Sequence, residues 1–452
     1  MKKTAKALLV VWTLLVSLFL TGCSGLGLNM ELQELYSLPT LPAKYTELNN
    51  RISQIMGNGA EYAAPTSGTN IQPVQLVDLN GDGREEAVAF FRNAADEKPL
   101  KIYIFSVRDE HYEQTALIEG SGTGIYSITY RDLDGNGTQE LAVGWKAAAE
   151  LQVLEVYTLR EGHTEQLLRT NYVKYTAADL DGDGRSEIVV LRADEEGNGI
   201  ADYYAWQEGG RLGKQSSARI SATMAEVSRQ GSVTAGVLRG GAAAVFVTGV
   251  TDTPQVITDI LTSGGGSLSN VVLSGATGVS TQIHPYCGLD PADINGDGVT
   301  EVPCPVYLPG ALGGESSYQQ IEWRSYDERG ASEVVLRTYH DTEDGWYLRL
   351  PETWNGRVTV TRTTTQADEV RVTFYALGEG RAKPFLRISA LTGAAREIQA
   401  VQGGRFLLAR QSETIYTGEL MEGNQTWQYA LTADDVRGAF QVILPEWAPG
   451  DN

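Results

Sequence analysis

Cysteine, histidine and methionine are scarce in this chain of 452 residues, at three, four and five. The histidines, His111, His163, His284 and His340, show no H-x-x-x-H or H-E-x-x-H spacing, which points them to surface or core positions rather than to metal ligation. No Walker loop, G-x-S-x-G elbow or redox C-x-x-C is present, and Gly264-Gly-Gly reads as a flexible connector rather than a phosphate cradle. No catalytic grouping is recognised, and the expectation is a protein that is not an enzyme. Basic residues are also few. With 36 Lys and Arg against 57 Asp and Glu the net charge is −21, and since Lys2, Lys3 and Lys6 sit in the leader, the remainder carries −24. That argues against nucleic-acid and anionic-surface binding, where Lys and Arg patches do the work. Beyond residue 20 no apolar run is long enough to span a bilayer.

What the chain has in excess is one acidic loop, used four times. It reads D-x-[DN]-x-[DN]-G-x-x-E and starts at Asp78, Asp132, Asp179 and Asp293. Oxygen-bearing side chains at alternate positions of a tight turn aim at one centre, and an all-oxygen set suits Ca²⁺. The side-chain donors are Asp78, Asn80, Asp82 and Glu86; Asp132, Asp134, Asn136 and Glu140; Asp179, Asp181, Asp183 and Glu187; Asp293, Asn295, Asp297 and Glu301. The seventh residue, Arg84, Thr138, Arg185 or Val299, would add a backbone carbonyl, and Gly83, Gly137, Gly184 and Gly298 permit the sharp turn at position 6. Four copies with this ligand pattern weigh against simple hairpin turns. An EF-hand would need Glu at position 12, where Ala89, Val143, Val190 and Cys304 stand instead. The flanks are short β-rich runs. About four bound Ca²⁺ ions are expected.

Spacing gives the architecture. The steps between loops are 54, 47 and 114 residues, and half of the last places a hidden unit at 236. There residues 233–247 keep the apolar positions and put Gly241 opposite Gly184 while losing every acidic ligand. Between the first two loops lie four strand-like runs, 87–92, 100–107, 112–119 and 125–130. Periods of this length with four strands each predict an all-β chain, a β-propeller of about seven four-stranded blades. Extending the step puts further units near 350 and 407, with the last blade completed by the strand before Asp78; six blades is the rival count.

The loops and their β flanks resemble the FG-GAP and VCBS repeats of integrin α-subunit propellers and of many bacterial surface proteins, over about residues 70–305. The Phe-Gly and Gly-Ala-Pro signatures are poorly kept, so the form is nearer the bacterial one. The resemblance implies calcium at the same four sets of residues and a surface-exposed interaction scaffold rather than a reaction.

The termini indicate location. A basic Met1-Lys-Lys-Thr-Ala-Lys6, an apolar stretch over 7–20 and Leu20-Thr-Gly-Cys23-Ser resemble a bacterial lipoprotein leader, with Cys23 lipidated and residues 1–22 removed. The expected organisation is a lipid-anchored tether and helix over 23–70, the propeller over 71–446 and a tail over 447–452. Leu41, Tyr45, Leu48, Ile52 and Ile55 share one helical face, and Thr432 opens a second helix with acids in its first turn. If Cys23 carries lipid, Cys287 and Cys304 remain as a pair straddling the fourth loop. A disulfide there would close an 18-residue loop and contribute about 3 kcal/mol, two buried thiols being the other reading.

The expected function is therefore that of a calcium-stabilised lipoprotein of the bacterial cell envelope, facing the extracytoplasmic side. It would be held to the membrane through Cys23 and would bind an unknown protein or glycan. Tyr339, Trp346, Tyr347 and Trp354 form the candidate aromatic patch, with blade core as the competing reading. The alternative is an extracytoplasmic polysaccharide-active enzyme, a lyase or hydrolase, on a calcium-bearing propeller.

Overall fold

Strands with apolar side chains on both faces need cover on both, and the second strands of the first four repeats are of this kind. Glu86–Arg92, Glu140–Lys146, Glu187–Ala193 and Ala243–Val250 are buried along almost their whole length. The computed structural model describes residues 45–443 except 109–110, 150, 161–162, 208, 312–313, 366–367 and 379–380. The leader, Cys23 and the 447–452 tail lie outside the described residues.

Among the described residues, six antiparallel sheets follow one another in chain order. The first holds Val74–Val77, Glu86–Arg92, Leu100–Arg108 and His111–Gly120, with Glu61–Tyr62 added to Glu86–Arg92. The second holds Gly124–Arg131, Glu140–Lys146, Gln152–Arg160 and His163–Tyr172; the third Lys174–Ala178, Glu187–Ala193, Gly199–Gln207 and Arg211–Arg219. The fourth is the unit anticipated at 236, which lacks the acidic ligands: Val233–Val237, Ala243–Val250, Gln255–Gly264 and Ser267–Asn270, with Ile283–Pro285 on Gln255–Gly264. The fifth runs Val302–Pro309, Glu315–Tyr326, Ser332–Asp341 and Trp346–Leu350.

Period-2 alternation explains how the sheets pack. Leu141, Val143 and Trp145 meet Val88 and Phe90 of the first sheet, while Ala142 meets Ile188 and Val190 of the third. Val189 and Leu191 in turn meet Val245 and Val247 of the fourth, and Ala244 and Phe246 meet Val302 and Tyr326 of the fifth. Trp346 and Leu348 pack with Val360 and Phe374 of the sixth. Four-stranded antiparallel sheets covered face to face in chain order are the units from which propellers are built.

The sixth sheet departs from the expected spacing. The units anticipated near 350 and 407 are one sheet, ordered Val358–Thr365, Glu369–Ala376, Lys383–Leu391, Ile415–Leu420 and Arg405–Arg410. The strand before Asp78 does not complete the last blade; Val74–Val77 pairs with Glu86–Arg92 in the first sheet. A late strand, Phe440–Val442, instead extends the fifth sheet by pairing with Trp346–Leu350. These pairings are long-range, and a fixed step cannot foresee them.

The aromatic patch is corrected as well. Tyr339, Trp346 and Trp354 are 4%, 1% and 2% exposed and belong to the core shared by the last two sheets. Tyr347 is half-buried, stacked on His340 with ring centroids 4.8 Å apart. Both ring nitrogens of His340 are buried without a hydrogen-bond partner, and burial pushes its pKa down to about 4. An unfolded histidine titrates near 6.5, so between those values the unfolded chain binds the extra proton. His340 should therefore contribute no pH sensitivity above about pH 7 and remove up to about 3 kcal/mol as pH falls from 6.5 to 4. Comparing melting curves of wild type and His340→Phe over that range checks this: the acid limb of the variant should be shallower.

The bridge between the two later cysteines is not formed. Cys287 and Cys304 are free thiols, and Cys304 Sγ lies 3.3 Å from His284 Nε2. Burial pushes the thiols up to about 11 and about 12, so both are protonated at neutral pH.

The helix Thr46–Gly57 buries Leu48 and Ile52 of the face read from the sequence. The C-terminal helix Ala433–Ala439 starts at Thr432 with a capping box to Asp435.

Candidate functional site: the acidic loops

Each acidic loop joins the first two strands of a repeat, so its ends are fixed by the ladder. Val77 faces Glu86, Arg131 faces Glu140, Ala178 faces Glu187, and an isolated bridge joins Ala292 to Glu301. The position-1 aspartate then organises the turn. In every loop its Oδ1 accepts from the backbone N–H of the glycine at position 4, at 2.7–2.8 Å (Gly81, Gly135, Gly182, Gly296). Its Oδ2 accepts from the glycine at position 6, at 2.8–3.0 Å (Gly83, Gly137, Gly184, Gly298). Positions 3 and 5 each accept from the N–H two residues on: Asn80 from Asp82, Asp134 from Asn136, Asp181 from Asp183 and Asn295 from Asp297, then Asp82 from Arg84, Asn136 from Thr138, Asp183 from Arg185 and Asp297 from Val299. One backbone framework thus recurs four times.

The glutamate closing each loop is buried: Glu86, Glu140, Glu187 and Glu301 are 3%, 1%, 3% and 0% exposed. Each uses Oε2 to accept the N–H of the residue at position 2, Leu79, Leu133, Leu180 or Ile294, at 2.8–3.2 Å. The other oxygen is treated differently in each loop. Glu86 Oε1 accepts from Asn80 Nδ2 and Glu140 Oε1 from Thr158 Oγ1, both at 3.0 Å, whereas Glu301 Oε1 is buried with no partner. Burial, with nearby aspartates adding to it, pushes Glu187 and Glu301 up to about 7, and Glu86 and Glu140 also rise. A buried anion without a compensating donor is costly. An orphaned carboxylate oxygen among other oxygen donors fits a hard cation.

The structure gathers carboxylate oxygens of Asp179, Asp181, Asp183 and Glu187 within 4.8 Å of one another, and likewise those of Asp132, Asp134 and Glu140. In the first and fourth loops Asn80 and Asn295 take the third position, and among the described residues no group of three carboxylates meets that distance there. The seventh residues, Arg84, Thr138, Arg185 and Val299, donate their own N–H groups into the turn; Arg185 Nε also donates to Asp183 Oδ2 at 2.8 Å.

Three features escaped the sequence reading. Position 4 is glycine in all four loops, and each adopts positive φ, from +71° to +79°. At Gly81 the reason is steric too: a Cβ would stand 2.5 Å from the carbonyl oxygen of Gly137 in the next loop. Second, neighbouring repeats are tied through position 8. Gln139 N–H donates to Leu79 O at 2.8 Å, Ser186 to Asp132 O at 3.0 Å, and Thr300 to Val237 O of the fourth sheet at 2.8 Å. Third, the sixth sheet keeps the glutamate without the loop. Glu369 opens its second strand opposite Thr365, is 3% exposed, and accepts from Arg371 and Arg405, both at 2.7 Å. Despite burial, those guanidiniums hold its carboxyl below the ordinary value. Two cationic side chains here do what a metal ion could do in the other repeats. The common signal is a glutamate at the start of the second strand, visible only once strand register is known.

A second feature is a cavity of 300 Å³ bounded by first-strand residues of the second to fourth sheets, including Tyr126, Lys174 and Tyr175. Tyr175 donates to Ala142 O at 3.2 Å and Lys174 to Gly231 O, while the Tyr172 hydroxyl on the same wall is buried with no partner.

No family model and no curated protein matches this chain. Among solved structures, a crystal structure of a protein from Lactobacillus plantarum is similar over 71% of this chain and 86% of its own, at 10% identity and a TM-score of 0.29, too low to argue from.

Proposed function

We propose that this chain is a calcium-stabilised binding scaffold of the bacterial cell envelope, a propeller of six blades anchored by lipid on Cys23. The observation that carries the metal reading is the fourfold framework ending in a buried glutamate, with the orphaned Glu301 oxygen as its clearest instance. Side chains at positions 1, 3, 5 and 9 with the carbonyl at position 7 would hold each ion, the all-oxygen set favouring Ca²⁺ over softer metals. The ion would neutralise clustered carboxylates and lock the first hairpin of its sheet. The resemblance of these loops to FG-GAP and VCBS repeats supports an interaction role, with a protein or a glycan as partner. The leader and Leu20-Thr-Gly-Cys23-Ser support anchoring. A polysaccharide-active enzyme on the same scaffold is the competing reading.

The anchoring is tested by expressing wild type and Cys23→Ser in a bacterial host fed labelled fatty acid. Wild type should take up label and sediment with membranes, and the variant should do neither. Unlabelled wild type in the soluble fraction would refute the anchor.

A further inference from the structure

A cavity of 580 Å³ opens between the outer strand of the first sheet, His111–Gly120, and the facing surface of the second sheet. Nothing in the acidic loops uses it. Its wall is built by cross-strand register: Glu155 stands opposite Arg169, and Tyr157 opposite Gln166, on one face of the second sheet. Glu155 is 5% exposed, a carboxylate set at the edge of an otherwise apolar interface. It accepts hydrogen bonds from Arg169 Nη1 and from the Tyr157 hydroxyl. Trp145, 2% exposed, packs its ring so closely on Gly120 that a Cβ there would come within 2.4 Å. Its indole N–H is near enough to the Tyr157 hydroxyl to influence it but closes no hydrogen bond.

Burying a carboxylate is costly unless donors reach it, and Glu155 is met by the Tyr157 hydroxyl and by Arg169, whose own side chain is 63% exposed. These groups stand at the wall of a cavity whose size falls within the roughly 300–1,000 Å³ typical of small-ligand sites. The charges also limit the ligand. Arg169 is neutralised by Glu155, and Glu119 on the opposite wall by Lys101, leaving exposed Lys98 at the rim. A cationic ligand finds no unpaired carboxylate among these groups, and an anionic one only the solvent-exposed Lys98, whose attraction water screens. A neutral ligand with many hydroxyls suits the wall better, because the carboxylate, the guanidinium and exposed Gln166 all have further hydrogen-bonding capacity.

We infer that this cavity binds an uncharged saccharide unit, with the Glu155–Arg169 pair and Gln166 reading vicinal hydroxyls. This rests on the binding-scaffold reading and names a ligand class for it.

The test applies the full chain, in buffer containing calcium, to immobilised neutral glycans (glucans, mannans, galactans and chitin oligomers) and acidic ones (polygalacturonate and heparin), then measures affinity for retained sugars by calorimetry. The expected result is retention on at least one neutral glycan. Glu155→Gln and Gln166→Ala should each weaken it by about tenfold, the loss of one good hydrogen bond. Gln166 is exposed, so its variant should melt like wild type and keeps the test sound if Glu155→Gln misfolds. Absence of neutral-glycan binding at millimolar sugar, retention on acidic glycans alone, or affinity unchanged in Gln166→Ala would each overturn the site. Failure of the scaffold reading looks different: release of shortened or unsaturated sugar products would make the protein an enzyme while leaving the cavity as its site.

Discussion

Chelation of calcium should lower the melting temperature of the soluble chain, residues 24–452, on the order of 10 °C. A site held at a hundred times its Kd adds about 2.7 kcal/mol, and four such sites act on sheets that share their cores. A single-loop variant gives a sharper result. With calcium, Glu187→Gln or Asp181→Ala should remove roughly a quarter of the shift, since one loop of four loses a ligand. In chelator the two should part. Glu187 is buried, faces Asp179, Asp181 and Asp183, and is pushed up to about 7, so its ionised form is unfavourable without a cation. An amide in its place still accepts the Leu180 N–H and carries no charge, so Glu187→Gln should be neutral or stabilising once calcium is gone. Differential scanning calorimetry in calcium and in chelator reads both signs. Equal destabilisation in the two buffers would mean the glutamate is only a structural acceptor.

The second large effect is expected where calcium plays no part. Glu369→Gln should destabilise the protein by about 3–5 kcal/mol, as breaking a buried ion pair does, because Arg405, with only 11% of its side chain exposed, loses its counter-charge. The loss should be the same with calcium and with chelator. Denaturant unfolding in both buffers measures it. A loss confined to calcium buffer would show that the sixth sheet also depends on the metal, and that the two guanidiniums do not replace an ion there.

The contrast between Glu187 and Glu369 also shows what a sequence discloses. Oxygen donors at positions 1, 3, 5 and 9 of a fixed loop are legible because the loop is local, and its geometry follows from short spacing. The unit at 236 was legible for a related reason: the repeat length and Gly241, which adopts φ of +91°, survive the loss of the acids. Glu369 was not legible, since only three residues separate it from Thr365 and only their pairing reveals its equivalence to Glu86. The inverted order of the last two strands of the sixth sheet, and the docking of Phe440–Val442 on the fifth, are set by pairings between distant segments. The Tyr339, Trp346 and Trp354 side chains could not be assigned to surface or core from alternation, because strands covered on both faces carry aromatics on either side. Glycine at position 4 is visible in the sequence, but its reason is not: positive φ in all four loops, and the close approach of the next loop at Gly81 and Gly135.

The most direct test of the central claim is equilibrium binding of calcium to residues 24–452 at millimolar Ca²⁺. The account predicts about four ions per chain, falling to about three in Asp181→Ala. One ion or none would contradict it, and would leave the four loops as hairpin turns whose buried glutamates serve only to accept the N–H at position 2.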